Sequence, residues 1–288
     1  MRNPQNPEID PALLPLDGKK TVRSRLAQLR PAANFGHRGK GHSRPGNPHP
    51  ENSLAAFRQA ISEGAHGVEL DVELCADSNL VVMHDDTLDR TTNQKGGVSA
   101  WTSPDLRTRC RLLDGDGHLS AEPPPTLAEA FEAVGSAAMI NIELKVFEMA
   151  YQTPSSGPTD LAAAAIAEVR RLGVLGRTLF SSFDPAAVRA ARAIAPEAYV
   201  ALLLGVRESV EARTSIGLAL ELGADAIHPF FAIPDNGIAA ARRAGLDVNV
   251  WTVNEPEVMR RLINAGATAI ITDQPGVLAQ VLAADARH

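Results

Sequence analysis

The chain is poor in cysteine, in long apolar runs and in clustered positive charge, and each shortage removes a class of protein. Two cysteines, Cys75 and Cys110, among 288 residues build no disulfide framework, and neither has a metal-ligand spacing around it. They read as buried or incidental thiols. No apolar stretch reaches the ~18 residues a membrane span needs, so no stable membrane insertion is expected. Residues 1–30, rich in proline, asparagine and charge, lack the apolar region of a secretory signal, which makes a soluble cytoplasmic protein the expectation. The net charge of -6 comes with both signs scattered and no basic run, which argues against nucleic acid or another polyanion as partner. Nothing in the composition specifies an oligomeric state.

What is present is an apolar content of 44%, ample for a core, and a repeated punctuation. A helical pattern, a glycine and a short β-branched run follow one another at Glu63-Gly64-Ala65-His66-Gly67-Val68, Leu222-Gly223-Ala224-Asp225-Ala226-Ile227 and Ala265-Gly266-Ala267-Thr268-Ala269-Ile270. Glycine after a helix supplies the left-handed cap, and the apolar run is a buried parallel strand. Strands are expected at Asn34–His37, Val68–Val72, Met139–Leu144, Thr178–Ser182, Tyr199–Leu204, Ala226–His228, Asp247–Trp251 and Ala269–Thr272. Helices are expected at Ser53–Glu63, Leu127–Val134, Asp160–Leu172, Pro185–Ile194, Glu208–Leu222, Asn236–Ala244, Pro256–Ala265 and Pro275–Ala284. Eight of each predict an α/β protein, a TIM (β/α)8 barrel over residues 31–288. Residues 1–30 read as an N-terminal extension, with a short helix at Val22–Leu29 and a mobile segment before Thr21. A ninth run, Leu80–His84, follows the second strand too closely for a parallel crossover, so the two should form an antiparallel hairpin that folds His84 beside Asp71. Residues 85–125 then form a small insertion.

Glu69 and Asp71 stand one residue apart on the second strand, so both carboxylates leave one face while Val68, Leu70 and Val72 fill the other. Packed together without a counter-charge they repel, and the pair asks for a cation. Glu143 and Lys145 repeat this i, i+2 spacing on the third strand. Other polar motifs also fall at strand ends: His37-Arg38 after the first strand, Trp251 after the seventh.

Taken in order, Gly36-His37-Arg38-Gly39, Pro50-Glu51-Asn52-Ser53, Val68-Glu69-Leu70-Asp71, Met83-His84-Asp85-Asp86, Asn141-Ile142-Glu143-Leu144-Lys145, Val250-Trp251-Thr252 and Thr272-Asp273-Gln274-Pro275 resemble the glycerophosphodiester phosphodiesterase family from about Phe35 to the C-terminus. The chemistry of the residues and the resemblance agree. Glu69, Asp71 and Glu143 would hold a divalent cation, Mg²⁺ or Ca²⁺ for an all-oxygen set. Arg38 and Lys145 would bind phosphate oxygens of a small-molecule phosphodiester. His37 and His84 are the well-placed pair for proton transfer, and the resemblance gives them the roles of general base and acid. It also implies that Glu51 and Asn52 belong to the site. Metal-dependent hydrolysis of glycerophosphodiesters to an alcohol and glycerol 3-phosphate is the expected activity.

Two alternatives stand beside it: the same site acting on a sugar phosphodiester or a lysophospholipid with a cyclic phosphate product, and a non-catalytic barrel that only binds its ligand. Trp251 reads equally as substrate floor or barrel packing, and His228 as pocket lining or strand cap. His66 and His118 read as turn residues. Asp273, two residues before Pro275, reads as a cap on the last helix and is left out of the site. The segment Lys40–His49 is longer than the family's usual loop, and its place at the pocket rim suggests contact with the alcohol of the diester.

Overall fold

A computed structural model describes residues 17–146 and 157–285; most of the segment expected to be mobile, residues 1–16, lies outside the described residues. The strands are β1 (Ala33–Gly36), β2 (Gly67–Leu74), β3 (Leu80–Val82), β4 (Met139–Leu144), β5 (Thr178–Ser182), β6 (Tyr199–Leu204), β7 (Ala226–Pro229), β8 (Asp247–Val250) and β9 (Ala269–Thr272). All but β3 are parallel to their neighbours. They follow one another around the sheet and close where β1 pairs with both β9 and β2. The fold is a TIM barrel. Its helices are α1 (Gly18–Gln28), α2 (Leu54–Ser62), α3 (Ser103–Arg109), α4 (Leu127–Val134), α5 (Pro158–Arg171), α6 (Pro185–Ile194), α7 (Val206–Val210), α8 (Ala212–Glu221), α9 (Asp235–Arg243), α10 (Pro256–Asn264) and α11 (Pro275–Asp285). None of the described helices is long and apolar enough to cross a membrane.

Strand alternation divides the apolar residues into two layers. Val68, Leu70 and Val72 of β2 pack outward with Phe57, Phe131 and Phe180 in the sleeve between sheet and helices. Inside the barrel, Phe35, Met139, Leu179, Tyr199, Ala226 and Ile271 pack with Val22 and Leu26 of α1. The α1 helix starts earlier than its apolar pattern indicates and seals the N-terminal end of the barrel. There Lys19 donates its backbone N–H to the Glu197 carbonyl at 2.7 Å, and Arg23 lies 3.7 Å from Asp225 and 3.4 Å from Asp247. With that end closed, the polar strand ends collect at the other.

The hairpin forms with Val72 opposite Val82, Glu73 opposite Val81 and Leu74 opposite Leu80. β3 stops at Val82, short of His84, and the Met83 N–H bonds the Asp71 carbonyl at 3.0 Å. The helix expected at Glu208–Leu222 is two helices, because Glu211 leaves helical geometry (φ -86°, ψ 38°). Ser209 Oγ there donates to the Gly205 carbonyl and accepts from the Phe230 N–H at 2.9 Å, which ties α7 to the rim of the barrel. The insertion has a core of its own: Leu88, Val98, Leu106 and Leu112 pack with Val81, Met83 and both cysteines, which are buried thiols. Burial pushes Cys75 up to about 12.

Candidate active site

The site begins at the end of β1, where two non-glycine residues adopt left-handed backbone: Arg38 (φ 46°) and Asn52 (φ 58°). Such conformations cost ~1–3 kcal/mol each and persist only where surrounding bonds demand them. Here the Arg38 N–H points at Glu69 Oε2 (2.9 Å), and the Asn52 N–H returns to the Arg38 carbonyl (3.0 Å). Asn52 Nδ2 donates to Asp71 Oδ2 at 2.9 Å. The strained turn therefore aims the backbone and side chains at the two β2 carboxylates.

One carboxylate oxygen from each of Glu69, Asp71 and Glu143 lies within 4.8 Å of the others. Burial and the neighbouring Asp71 and Glu143 raise the Glu69 carboxyl well above the usual range. Burial opposes ionisation of Asp71 as well, yet Arg38, His84, Lys145 and the Asn52 amide hold it well below. A carboxyl that resists ionisation and several cationic groups thus stand where like charges crowd. Asp71 Oδ1 is buried without a hydrogen-bond partner among the described residues, and the donors are all hard oxygens. The cluster fits a divalent cation of the Mg²⁺ or Ca²⁺ kind.

His37, Arg38, Glu69, His84, Glu143, Lys145 and Trp251 line one cavity of about 140 Å³, with Asn141, Phe183, Leu203 and Ile271. Asp71, Asn52 and Glu51 stand behind that wall. Each histidine is backed by a carboxylate: His37 Nδ1 is 2.7 Å from Asp273 Oδ1, and His84 Nδ1 is 2.7 Å from Asp85 Oδ1. Burial opposes both acids, but His37 and Asn254 bring Asp273 down to about 2, and His84 and Arg90 hold Asp85 lower still. Lys145 Nζ reaches Glu143 Oε1 at 2.6 Å and His84 Nε2 at 3.1 Å. Burial alone would lower its pKa; Glu143 and Asp71 raise it.

The other candidate residues have bonding partners that the sequence did not indicate. Asp273 is not a helix cap in its bonding: its two oxygens go to His37 and to Asn254 Nδ2 (2.9 Å). Glu51 is buried and is not among the residues that line this cavity. Arg38 Nη1 (2.8 Å), both Nη atoms of Arg90 (2.7 and 2.8 Å) and the Ser43 N–H (2.7 Å) occupy the Glu51 oxygens, and they lower its carboxyl to about 2 against burial. Arg90, from the insertion, also grips both oxygens of Asp85. A continuous chain, His84-Asp85-Arg90-Glu51-Arg38, results. Asp85 was signalled only by its place after His84, and Arg90 by nothing in its surroundings. Trp251 both lines the cavity and is anchored, its Nε1–H donating to the His228 carbonyl at 2.8 Å. His228 is a fully buried interior residue, lowered to about 3 by burial, with Nε2 on Asn249. The Lys40–His49 segment supports the strand end: Gly41 lies on Asp273 and Ser43 on Glu51.

The chain matches the model of the glycerophosphoryl diester phosphodiesterase family over residues 37–277. A glycerophosphodiester phosphodiesterase of Caldanaerobacter subterraneus subsp. tengcongensis is 34% identical over 233 residues, 80% of this chain and 90% of that protein. The crystal structure of a glycerophosphodiester phosphodiesterase from Agrobacterium tumefaciens superposes with a TM-score of 0.68 at 29% identity, covering 86% of this chain and 99% of the other. One from Thermotoga maritima gives 0.67 at 25% identity, covering 87% and 98%.

Proposed function

Because the chain belongs to the glycerophosphoryl diester phosphodiesterase family and is a phosphoric diester hydrolase, we propose that it cleaves glycerophosphodiesters to an alcohol and glycerol 3-phosphate, using His37 and His84 for proton transfer and a divalent cation held by Glu69, Asp71 and Glu143. The observation that carries this reading is the cavity in which two carboxylate-backed imidazoles, Glu69, Glu143 and two cationic side chains meet, with Asp71 behind its wall.

An ionised carboxylate only accepts, so Asp273 and Asp85 keep the proton of each imidazole on Nδ1 and leave Nε2 for exchange. One ring takes the proton of the attacking hydroxyl and the other delivers a proton to the departing alkoxide; each carboxylate steadies the imidazolium that forms. Glu69, Asp71 and Glu143 would hold a divalent ion, whose chemistry there would be to offset negative charge developing on the phosphate. Arg38 and Lys145 add fixed positive charge on the same wall. Asn52 and the Arg38 N–H hold Asp71 and Glu69 in place, and Glu51 with Arg90 holds Arg38 and Asp85. Trp251 and Phe183, ring centroids 5.4 Å apart, form the apolar side of the cavity.

A second substrate reading, a lysophospholipid, is favoured by that apolar side. Phe183 and Phe231 are exposed, and ring contacts of Trp251 with Phe183 and Phe230, and of Phe230 with Phe231, join them to the cavity. Product analysis with a panel of glycerophosphodiesters, some with water-soluble alcohols and some with an acyl chain, separates the two. Release of glycerol 3-phosphate from none of the panel, in Mg²⁺ or in Ca²⁺, overturns the proposed activity.

A further inference from the structure

We propose that His42, His37 and Asp273 form a second cation site, distinct in donor chemistry from the three-carboxylate cluster, which takes a borderline transition-metal ion such as Zn²⁺.

One donor atom from each of the three residues lies within 4.8 Å of the other two. Two imidazoles and one carboxylate are a nitrogen-rich set, the kind that holds zinc with a fourth position left to water. The neighbouring cluster offers oxygen alone and suits Mg²⁺ or Ca²⁺. The two sets therefore sort ions by hardness.

The ligands are held before any ion arrives. His42 meets His37 edge to face, with centroids 4.9 Å apart and planes at 83°. Its segment is pinned from several sides: the Gly41 N–H bonds the His37 carbonyl at 2.8 Å, and Asn47 Nδ2 bonds the Lys40 and His42 carbonyls at 3.1 and 2.9 Å. Gly41 has φ +85°, and a Cβ there would sit 2.6 Å from Asp273 Cβ, so only glycine lets this backbone lie against the acid. Asn254 fixes the far oxygen of Asp273. Burial, then His37 and Arg38, lower His42 to about 4, which leaves it neutral with a lone pair at pH 7. Partial exposure of His42 gives an ion a way in.

An ion bound through His37 Nδ1 takes the place of the proton that faces Asp273, and the neutral ring then carries its one proton on Nε2, where no lone pair is left to accept another. A ring nitrogen of His37 is then withdrawn from exchange, so Zn²⁺ inhibits an enzyme already supplied with Mg²⁺. The inhibition rests on the role proposed for His37; the binding does not.

Cobalt is the direct probe, because Co²⁺ in a four- or five-coordinate site with imidazole ligands absorbs strongly in the visible, whereas octahedral oxygen sites absorb weakly. Added to the Mg²⁺-loaded protein, one equivalent of Co²⁺ should develop the strong bands, and Zn²⁺ should bleach them. His42→Phe keeps a ring against His37 without a donor; it should abolish the bands and weaken Zn²⁺ binding, measured against a chromophoric chelator, at least ~100-fold. His42→Ala serves if the phenylalanine variant does not fold. Bands with no inhibition would keep the site and count against His37 in proton transfer. Weak bands only, or equal Zn²⁺ affinity in wild type and variant, would overturn the second site.

Discussion

Asp273→Asn separates a carboxylate that serves His37 from one that merely begins a helix. The substitution is isosteric and leaves the Oδ acceptor, so the ring can still be oriented; what disappears is the charge that stabilises an imidazolium. Acid–base contributions of this kind are worth ~10²–10⁴ in rate, and neutralising the acid of a His–carboxylate pair costs up to ~10⁴ in kcat. We expect kcat to fall by ~10²–10³ with KM for the diester little changed, because Asp273 stands behind His37. Stability should fall too. The drop of the Asp273 pKa from 3.8 to about 2 corresponds to ~2 kcal/mol, or ~5 °C in Tm for a chain of this size. The sign is that of a depressed acid: the stabilisation is present above about 3.8 and is lost as pH falls through about 2. Thermal scans of wild type and variant should therefore differ at neutral pH and converge near pH 2. Stopped assays of glycerol 3-phosphate release give kcat and KM separately. A variant that loses Tm but keeps kcat within about threefold, well short of an acid–base loss, would return Asp273 to a structural role.

Three further outcomes follow from the same electrostatics. Glu69→Gln should raise the Tm of the cation-free protein, since it removes an acid that burial, Asp71 and Glu143 keep from ionising, and it should abolish cation-dependent turnover; calorimetry and activity on one preparation check both. Glu51, lowered to about 2 from 4.5, supplies about 3 kcal/mol that is complete above pH 4.5 and lost as pH falls toward 2, so Glu51→Gln should flatten the acid limb of the stability curve and leave a protein less stable at pH 7. Arg90→Met should lower kcat ~10-fold or more by loosening Asp85 and Arg38 together, while Arg107→Met, which breaks an exposed pair with Glu129, should leave kcat unchanged.

The barrel was legible because its signals are local. Glycine after most of the barrel helices, at Gly64, Gly135, Gly173, Gly223, Gly245 and Gly266, and the apolar runs that follow mark strand starts without any long-range information, and β4, β5, β6 and β9 match their expected limits. The β2 carboxylates were legible for the same reason, since i, i+2 spacing on a strand decides which side chains share a face. The His37–Asp273 pair was not. Its members are 236 residues apart and meet only because β9 closes the barrel against β1, while the nearby Pro275 offered a local and sufficient reason for an acid at that position. Arg90 was hidden in an irregular insertion with no periodicity to place it. Glu51 could be located at the site but not oriented, because the arginine that takes its second face comes from that insertion.

The proposed requirement for a divalent cation is tested most directly on protein stripped by chelator and dialysed. Glycerol 3-phosphate release should be absent in the stripped protein, should return on titration with Mg²⁺ or Ca²⁺, and should need less cation as pH rises, because Glu69 must give up its proton to bind. Full turnover in excess chelator would contradict it.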